Sequence, residues 1–313
     1  MCYGYDGDAA LKESLARRGI DRRNFLRGSL AGLAGAGLAA TGLAGSPAAA
    51  AGMRRVPHGQ ISIQLWTVRN DLFVNYDSTL GYLSEIGYPN VEQALGYFGR
   101  SAAQLRAFHD SLGIRTMSSH DGISGSQADL ETKIENALTL GQSAIVVPFL
   151  SSPNEADWRM WAEQMNAEAV AAREAGLQYG YHNHAHEFST DLGGGLRPWE
   201  VLTEDLDPRF VHLEIDIYWA VTGGIQSGDG VDDPEGFTID VMREAPQRVQ
   251  QYHVKDRDPT NGEFADPGTG HIDFARVFAA QEVQQYIVEN DTPDVTPRQT
   301  AEVGYRYLRD LRF

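Results

Sequence analysis

Short apolar runs recur along the chain from residue 61 onward, at intervals of roughly 23 to 38 residues. Each run is four to six residues long, and a longer stretch with apolar positions at helical spacing follows it. This pattern indicates strands that alternate with helices. The runs that we interpret as strands are 61–66, 91–94, 114–118, 144–148, 177–182, 211–216, 249–253 and 286–289.

The stretches between the runs carry helix signals. Trp158, Trp161, Met165 and Ala169 recur at helical spacing, and Gly176 follows where a helix is expected to stop. Strand–helix units of this kind follow one another without a break in composition, which favours one domain over two.

Eight strand–helix units predict a (β/α)₈ barrel, a TIM barrel, as a single domain over residues 52–313. This span of 262 residues is close to the roughly 250 that are typical of such barrels. The competing architecture, an open doubly wound sheet, would carry a glycine-rich phosphate loop after its first strand. Trp66-Thr67-Val68-Arg69 stands there instead, so the barrel is the better interpretation.

Residues 1–51 have the pattern of an export signal. Arg22 and Arg23 lie side by side before a stretch rich in Gly, Ala and Leu (28–45), and small residues (46–51) follow. The segment resembles a twin-arginine signal, which predicts passage through the twin-arginine export machinery and a periplasmic or extracellular location. A stable membrane anchor is disfavoured because six glycines make the stretch weakly apolar.

The net charge and the single cysteine limit the kinds of partner and of metal site that we expect. The formal net charge of −17 argues against nucleic acid, because no Lys/Arg cluster lies outside the N-terminal segment. The single cysteine, Cys2, precedes the paired arginines, so the exported chain would have neither a disulfide nor a thiolate metal ligand. The sequence leaves the oligomeric state open, including a homo-oligomer.

Ionisable residues collect at the ends of the predicted strands, where barrels of this type have their active sites. Asp216, His253 and Glu289 end strands six, seven and eight. One imidazole and two carboxylates suit a hard divalent ion, with Mn²⁺ first and Mg²⁺, Co²⁺ or Zn²⁺ as alternatives. We therefore expect one divalent metal.

The run YHNHAHEF (181–188) is the densest group of such residues. Three imidazoles and a carboxylate within six residues can supply a metal ligand, a general base and hydrogen bonds to hydroxyls. If the segment is extended, alternation points His182 and His184 to one side and Asn183 to the other.

Five motifs follow one another in the second half of the chain: YHNHAHEF (181–188), DIYW (216–219), HVKD (253–256), GTGHIDF (268–274) and VEND (288–291). Together with QLWTVR (64–69) and GYPNVE (87–92), they resemble the sugar phosphate isomerase/epimerase family, which has the xylose-isomerase-like barrel. The resemblance spans nearly all of residues 52–313. It implies a divalent cation held by residues from strands five to eight, with Asp216, His253 and Glu289 at three ligand positions.

The sequence departs from the family pattern in two places. The fourth ligand is commonly a Glu at the end of strand five, where this chain has His182, with His184 and Glu187 as rivals. Trp219 stands where ketose 3-epimerases of the family tend to have His, and it resembles a wall for a sugar ring.

The resemblance implies a sugar isomerase or epimerase that removes the proton next to a carbonyl. Glu187 and Glu289 are the candidates for proton transfer, and Lys255 for holding a substrate oxygen. The expected substrate contacts are Trp66, His120, Asn183, His184 and Trp219.

The expected partner is a small sugar, and export favours a free sugar or keto-sugar over a phosphorylated one. Isomerisation, epimerisation and elimination share the first step, so all three remain open. The alternatives are a lyase that eliminates the aglycone of a 3-keto-glycoside and a secreted sugar-binding barrel without catalysis.

Overall fold

The computed structural model describes residues 54–293 and 295–313. These residues form a closed barrel of eight parallel strands in chain order, in which the last strand pairs with the first. The strands are β1 Ile61–Gln64, β2 Asn90–Gln93, β3 Arg115–His120, β4 Ala144–Val147, β5 Gln178–His182, β6 Val211–Asp216, β7 Val249–Val254 and β8 Gln285–Val288. Each predicted run overlaps one of them, so the predicted barrel is confirmed.

Helices follow the strands on the outside of the barrel. They are α1 Arg69–Ile86, α2 Ala102–Ser111, α3 Gln127–Leu140, α4 Glu155–Glu174, α5 His186–Ser189, α6 Pro198–Asp205, α7 Ile217–Ser227, α8 Pro234–Glu244, α9 Phe274–Ala280 and α10 Pro297–Asp310. A 3₁₀ helix, Leu65–Val68, continues from β1, and a hairpin after β7 pairs Asp256–Arg257 with Phe264–Ala265.

Helix α4 illustrates how the outer layer is held. Trp158, Met165 and Ala169 are fully buried in the layer between helix and barrel, as their helical spacing predicts. Burying a large side chain of this kind contributes about 2–3 kcal/mol. Gly176 follows the helix end with φ 86°, a left-handed conformation that favours glycine.

The interior of the barrel is polar. Alternate residues of each strand point toward the axis, and several of these are polar rather than the usual Val, Ile or Leu. His212 donates from Nε2 to Gln251 Oε1 at 2.8 Å, and Gln251 donates to Ser118 Oγ at 3.1 Å. Ser118 in turn donates to Glu92. The network links the strands through side chains as well as backbone.

The two ends of the described chain meet at the face where the strands begin. Arg54 N donates to Phe313 O at 2.7 Å, and Phe313 N donates to Arg54 O at 3.1 Å. Within residues 54–293 and 295–313, no helix has the length and apolar character that a membrane crossing needs. The export signal predicted over residues 1–51 lies outside the described residues.

Gly180 on β5 makes room for the interior network. A Cβ atom added to this residue would lie 2.5 Å from His212 Nε2, which is too close for any side chain to be accepted without a shift. The His212–Gln251 hydrogen bond therefore depends on a glycine at this position.

We predict that Gly180→Ala lowers the free energy of unfolding by about 1–3 kcal/mol, because the imidazole is displaced from a packed interior. Urea denaturation measures the change. Gly81→Ala in α1 is the matched control, since an added Cβ there has no neighbour within 4 Å. The control should be unchanged or up to about 1 kcal/mol more stable. Equal stability of the two variants would contradict the prediction.

Candidate active site

Four strands deliver the predicted metal ligands to one place. His182 and Asp216 are the last residues of β5 and β6, His253 lies near the end of β7, and Glu289 directly follows β8. Each offers one ligand atom, and these atoms all lie within 4.8 Å of one another. All four side chains are buried. His184 and Glu187, the rivals for the fourth position, are outside this group.

Glu214, which lies two residues before Asp216 on β6, fixes the orientation of three imidazoles. Its Oε1 accepts hydrogen bonds from His120 Nε2 at 2.7 Å and from His182 Nδ1 at 3.0 Å. His253 Nε2 lies 3.0 Å from the same oxygen. Burial alone would raise the pKa of Glu214, but the positive charge on His253 and the hydrogen bond from His120 hold it well below the usual range. Glu214 is thus a carboxylate shared by three rings.

Glu92 supports the same rings from β2. His253 donates from Nε2 to Glu92 Oε1 at 2.7 Å, and Gln64 donates to that oxygen at 2.8 Å. Burial and the neighbouring Glu214 raise the pKa of Glu92. Burial would lower the pKa of His253, but Glu214, Glu289 and Glu92 raise it well above the usual range. The charge on His253 and the charges on the carboxylates around it therefore stabilise one another.

His182 and His253 each turn one ring nitrogen toward the inner carboxylates and the other toward the outer group. His182 donates from Nδ1 to Glu214, which leaves Nε2 facing Asp216 Oδ2 at 3.8 Å. His253 has Nε2 on the inner carboxylates and Nδ1 at 2.8 Å from Glu289 Oε2. Burial and the charge on His253 lower the pKa of His182 to about 3, so its ring is neutral and keeps a lone pair. A carboxylate behind an imidazole is the usual support of a histidine metal ligand.

The outer group fits a divalent cation better than the inner group, His120, His182, Glu214 and His253. Within the described residues, Glu214 Oε2 and Asp216 Oδ2 are both buried without a regular hydrogen bond, but Glu214 Oε1 already has three N–H neighbours and the outer group adds a second carboxylate, Glu289. Burial raises the pKa of Asp216 to about 6, because the nearby Lys255 ammonium only partly offsets the cost of burial and the neighbouring Glu289 adds to it. Two imidazoles and two carboxylates form a mixed N/O donor set that suits Zn²⁺, Mn²⁺ or Co²⁺.

Lys255 lies beside the outer group. Its Nζ is 3.0 Å from Asp216 Oδ2, 2.9 Å from Glu289 Oε2 and 2.7 Å from Asp291 Oδ2. Burial would lower the pKa of Lys255, but these three carboxylates raise it well above the usual range, so the side chain is an ammonium. It also lies 5.3 Å from the centre of the Trp219 ring, which adds a cation–π contact.

A cavity of about 620 Å³ opens above this cluster at the carboxyl ends of the strands. Trp66, His120, His184 and Trp219, four of the predicted substrate contacts, lie on its wall. His184 Nδ1 and Trp219 Nε1 are buried and have no hydrogen-bond partner in the described part of the chain. An unpaired buried polar atom costs free energy, so both groups lack the compensation that a polar neighbour would give.

Asn183 and Glu187 lie behind the cavity wall, outside the residues that line it. Asn183 Oδ1 accepts from Asp216 N at 3.0 Å, and its Nδ2 donates to Asp216 O at 3.2 Å. Glu187 accepts from Tyr181 Oη at 2.6 Å and from His184 N at 2.8 Å. Asn183 thus holds the backbone of the candidate ligand Asp216, and Glu187 holds the backbone of His184. These positions do not support the predicted substrate contact by Asn183 or the predicted proton transfer by Glu187.

The prediction from sequence missed Glu214 and Asp291. Residues at positions 212, 214 and 216 alternate toward the barrel axis, so counting back by two from Asp216 would have found Glu214. Asp291 belongs to the VEND motif and pairs with Lys255, but only the fold brings β7 and β8 side by side at this point.

A family model described as the xylose isomerase-like TIM barrel matches residues 80–311. The chain is 26% identical over 191 residues to the inosose dehydratase of Salmonella typhimurium, with 52% of this chain and 58% of the relative covered. The chain thus spans a little over half the length of that curated relative.

Two solved structures are similar to this fold. A sugar phosphate isomerase/epimerase from Parabacteroides distasonis is 23% identical with a TM-score of 0.62, over 82% of this chain and 96% of that one. The IOLI protein with a bound zinc atom is 14% identical with a TM-score of 0.59, over 80% of this chain and 97% of that one. At these identities the likeness shows the fold alone.

We predict that Glu214→Gln weakens divalent metal binding by about 10- to 100-fold. The amide lacks the negative charge that orients the imidazoles, so the ligand nitrogens lose their fixed direction. Competition with a chelator measures the dissociation constant for Mn²⁺.

Glu168→Gln is the matched control for this experiment. Glu168 is also a buried carboxylate, but it binds Lys133 Nζ at 2.8 Å and Tyr179 Oη at 2.9 Å, away from the candidate ligands. This variant should keep the metal affinity of the wild type. Equal affinities for Glu214→Gln and wild type would refute the orienting role.

Proposed function

The chain belongs to the xylose isomerase-like TIM barrel family, and from this premise we propose that it is a metal-dependent enzyme that acts on a keto-sugar or keto-polyol. In the proposed reaction, a proton is removed from the carbon next to the carbonyl. The observation that carries the proposal is the group His182, Asp216, His253 and Glu289, whose ligand atoms lie within 4.8 Å of one another at the cavity floor.

These four residues would hold the cation, with Mn²⁺ as our first choice and Mg²⁺, Co²⁺ or Zn²⁺ as alternatives. His253, which is positively charged between its carboxylates, would release one proton on becoming a ligand, because a ligand imidazole is neutral. A bound divalent cation supplies Lewis-acid polarisation of the carbonyl, which acidifies the neighbouring C–H bond. His182 takes the place of the Glu that is common at this position in the family, so it contributes a neutral donor in place of a charged one.

Glu289 is the proposed base. It lines the cavity, its Oε2 is engaged by His253 and Lys255, and its Oε1 accepts no hydrogen bond from any described residue. Burial would raise the pKa of Glu289, but Lys255 and His253 hold it well below the usual range, so the group is an ionised acceptor at neutral pH. A carboxylate that faces the cavity with one free oxygen can take up the α-proton.

The remaining cavity groups would position the substrate. Lys255 carries a fixed positive charge beside Glu289 and can bind an oxygen on which negative charge develops. His184 and Trp219 line the cavity with ring centres 5.3 Å apart and would present ring surface to the substrate.

We favour elimination over epimerisation as the outcome. Epimerisation by two bases requires proton-transfer groups on both faces of the carbon. Glu187 lies behind the wall, and Lys255 and Asp291, which do line the cavity, are paired with each other on the same side as Glu289. In an elimination, the α C–H bond breaks and its proton goes to Glu289. A C=C bond forms, the bond from the β-carbon to its oxygen breaks, and the oxygen leaves with the bonding electron pair and takes a proton from the Lys255 ammonium, which recovers one from Glu289. The similar Salmonella protein is named a dehydratase, which is an enzyme of this reaction class.

The reaction is tested by hydrogen exchange. We predict that the Mn²⁺-loaded protein incorporates deuterium from D₂O next to the carbonyl of a keto-sugar or keto-polyol substrate, either in recovered substrate or in product. Glu289 is also a proposed metal ligand, so the metal content of Glu289→Gln is measured first by elemental analysis. In variant protein that is shown to be loaded with Mn²⁺, incorporation should be slower by roughly a hundredfold or more. Mass spectrometry measures the label.

Glu187→Gln is the comparison variant and should lose much less activity. Fast exchange in Glu289→Gln together with slow exchange in Glu187→Gln would reverse the assignment of the base. Absence of deuterium from every keto-sugar and keto-polyol in a broad panel would reject the reaction, and a sugar-binding barrel would then be the better interpretation.

We also propose that the protein is exported through the twin-arginine machinery, on the evidence of Arg22, Arg23 and the Gly/Ala-rich stretch after them. Replacing both arginines by lysine should leave the precursor in the cytoplasm, because the exporter recognises the arginine pair itself. Cell fractionation and immunoblotting measure the distribution. Normal export of the double variant would rule out this route.

A further inference from the structure

The cavity has two halves of different chemistry. Strands β5 to β8 contribute the candidate metal ligands, together with Lys255. The loops after β1, β2 and β4 contribute side chains that are mainly apolar: Trp66, Ala94, Leu95, Pro148 and Phe149. In the eight-stranded ring, β1 and β4 are three strands apart, so Trp66 and Phe149 stand on nearly opposite sides of the mouth.

Trp66 and Phe149 are exposed but held in place. Trp66 is 36% exposed, and the Arg69 guanidinium lies 4.4 Å from its ring centre. Arg69 is itself fixed by hydrogen bonds to the carbonyl oxygens of Trp66 at 2.8 Å and Asp291 at 2.6 Å. Phe149 is 53% exposed and packs edge-on against His184, with ring centres 5.0 Å apart. Fixed apolar rings that face water at a cavity mouth indicate a binding surface.

The size of the cavity supports the same conclusion. Its volume of about 620 Å³ lies within the range of sites that enclose ligands larger than one sugar ring. A single hexose at the packing density of a protein interior would fill roughly a third of it. A substrate ring that reaches Glu289 and Lys255 therefore leaves the β1–β4 half unfilled.

We propose that the β1–β4 half of the cavity is a second subsite, which binds a ring joined to the keto-sugar. The ligand class is a glycoside whose second ring presents a flat apolar face, as an aryl group or a pyranose does, and this ring packs between Trp66 and Phe149. The identity of the inner ring rests on the proposed function. In the proposed elimination, the second ring belongs to the group that leaves.

The subsite is tested by binding alone, with ligands that cannot react. Isothermal titration of the Mn²⁺-loaded protein compares methyl β-glucoside, which has one ring, with phenyl β-glucoside and methyl β-cellobioside, which have two. None of the three has a carbonyl in the ring to be bound next to the metal. The two-ring ligands should bind about tenfold more tightly than the one-ring ligand, which corresponds to one stacked ring.

Phe149→Ala and Trp66→Ala should each reduce this advantage to about twofold, because each removes one face of the subsite. Phe73→Ala is the matched control, since Phe73 is 69% exposed on α1 and is not among the residues that line the cavity. The control should keep the full advantage. Loss of the advantage for phenyl β-glucoside alone assigns the subsite to aryl groups, and loss for methyl β-cellobioside alone assigns it to sugars.

Equal affinities for the one-ring and two-ring ligands would overturn the proposal. An advantage that survives both variants, or an absence of binding by all three ligands, would overturn it as well. Because no ligand in the series undergoes proton abstraction, this outcome is independent of the deuterium experiment. Failed exchange together with a tenfold two-ring preference would reject the reaction and leave the subsite standing.

Discussion

The sharing of two buried carboxylates, Glu214 and Glu92, among three imidazoles is the interaction on which the candidate site depends. A charge that leaves water is costly unless an opposite charge and hydrogen bonds compensate it. Here, His120 and His253 supply the positive charge, and Glu214 Oε1 is the common neighbour of all three rings. In His182 and His253, one ring nitrogen lies against Glu214, so the other faces the mouth of the barrel. The inner carboxylates therefore fix the direction of these two candidate ligands.

This layer is in turn supported by polar residues deeper in the barrel. Ser118 connects Glu92 to Gln251, and Gln251 connects to His212 near the start of β6. An interior of this kind gives up apolar burial along the axis. The core instead lies between the strands and the helices, where residues such as Trp158 and Met165 are fully buried. The apolar layer between strands and helices thus provides stability, and the polar interior of the barrel positions the side chains of the site.

The parts of the molecule that follow local periodicity could be predicted from the sequence. Apolar runs located all eight strands, and their last residues gave Asp216, His253 and Glu289. Extrapolation failed where the chain leaves the strand: α5 begins at His186, so Glu187 lies on a helix and turns back toward His184. Period-two alternation still describes His182 and His184, but it could not indicate that Asn183 binds the backbone of Asp216. Contacts between distant segments, such as Lys255 with Asp291, require the closed barrel.

The hydrogen-bonded pair of Arg54 and Phe313 has a consequence for how the barrel is presented to its surroundings. Both residues lie where the strands begin, whereas the cavity opens where the strands end. A linker joined to residue 313 would therefore leave from the face opposite the mouth. A barrel attached to a surface or to a partner domain through this end would keep its cavity turned outward.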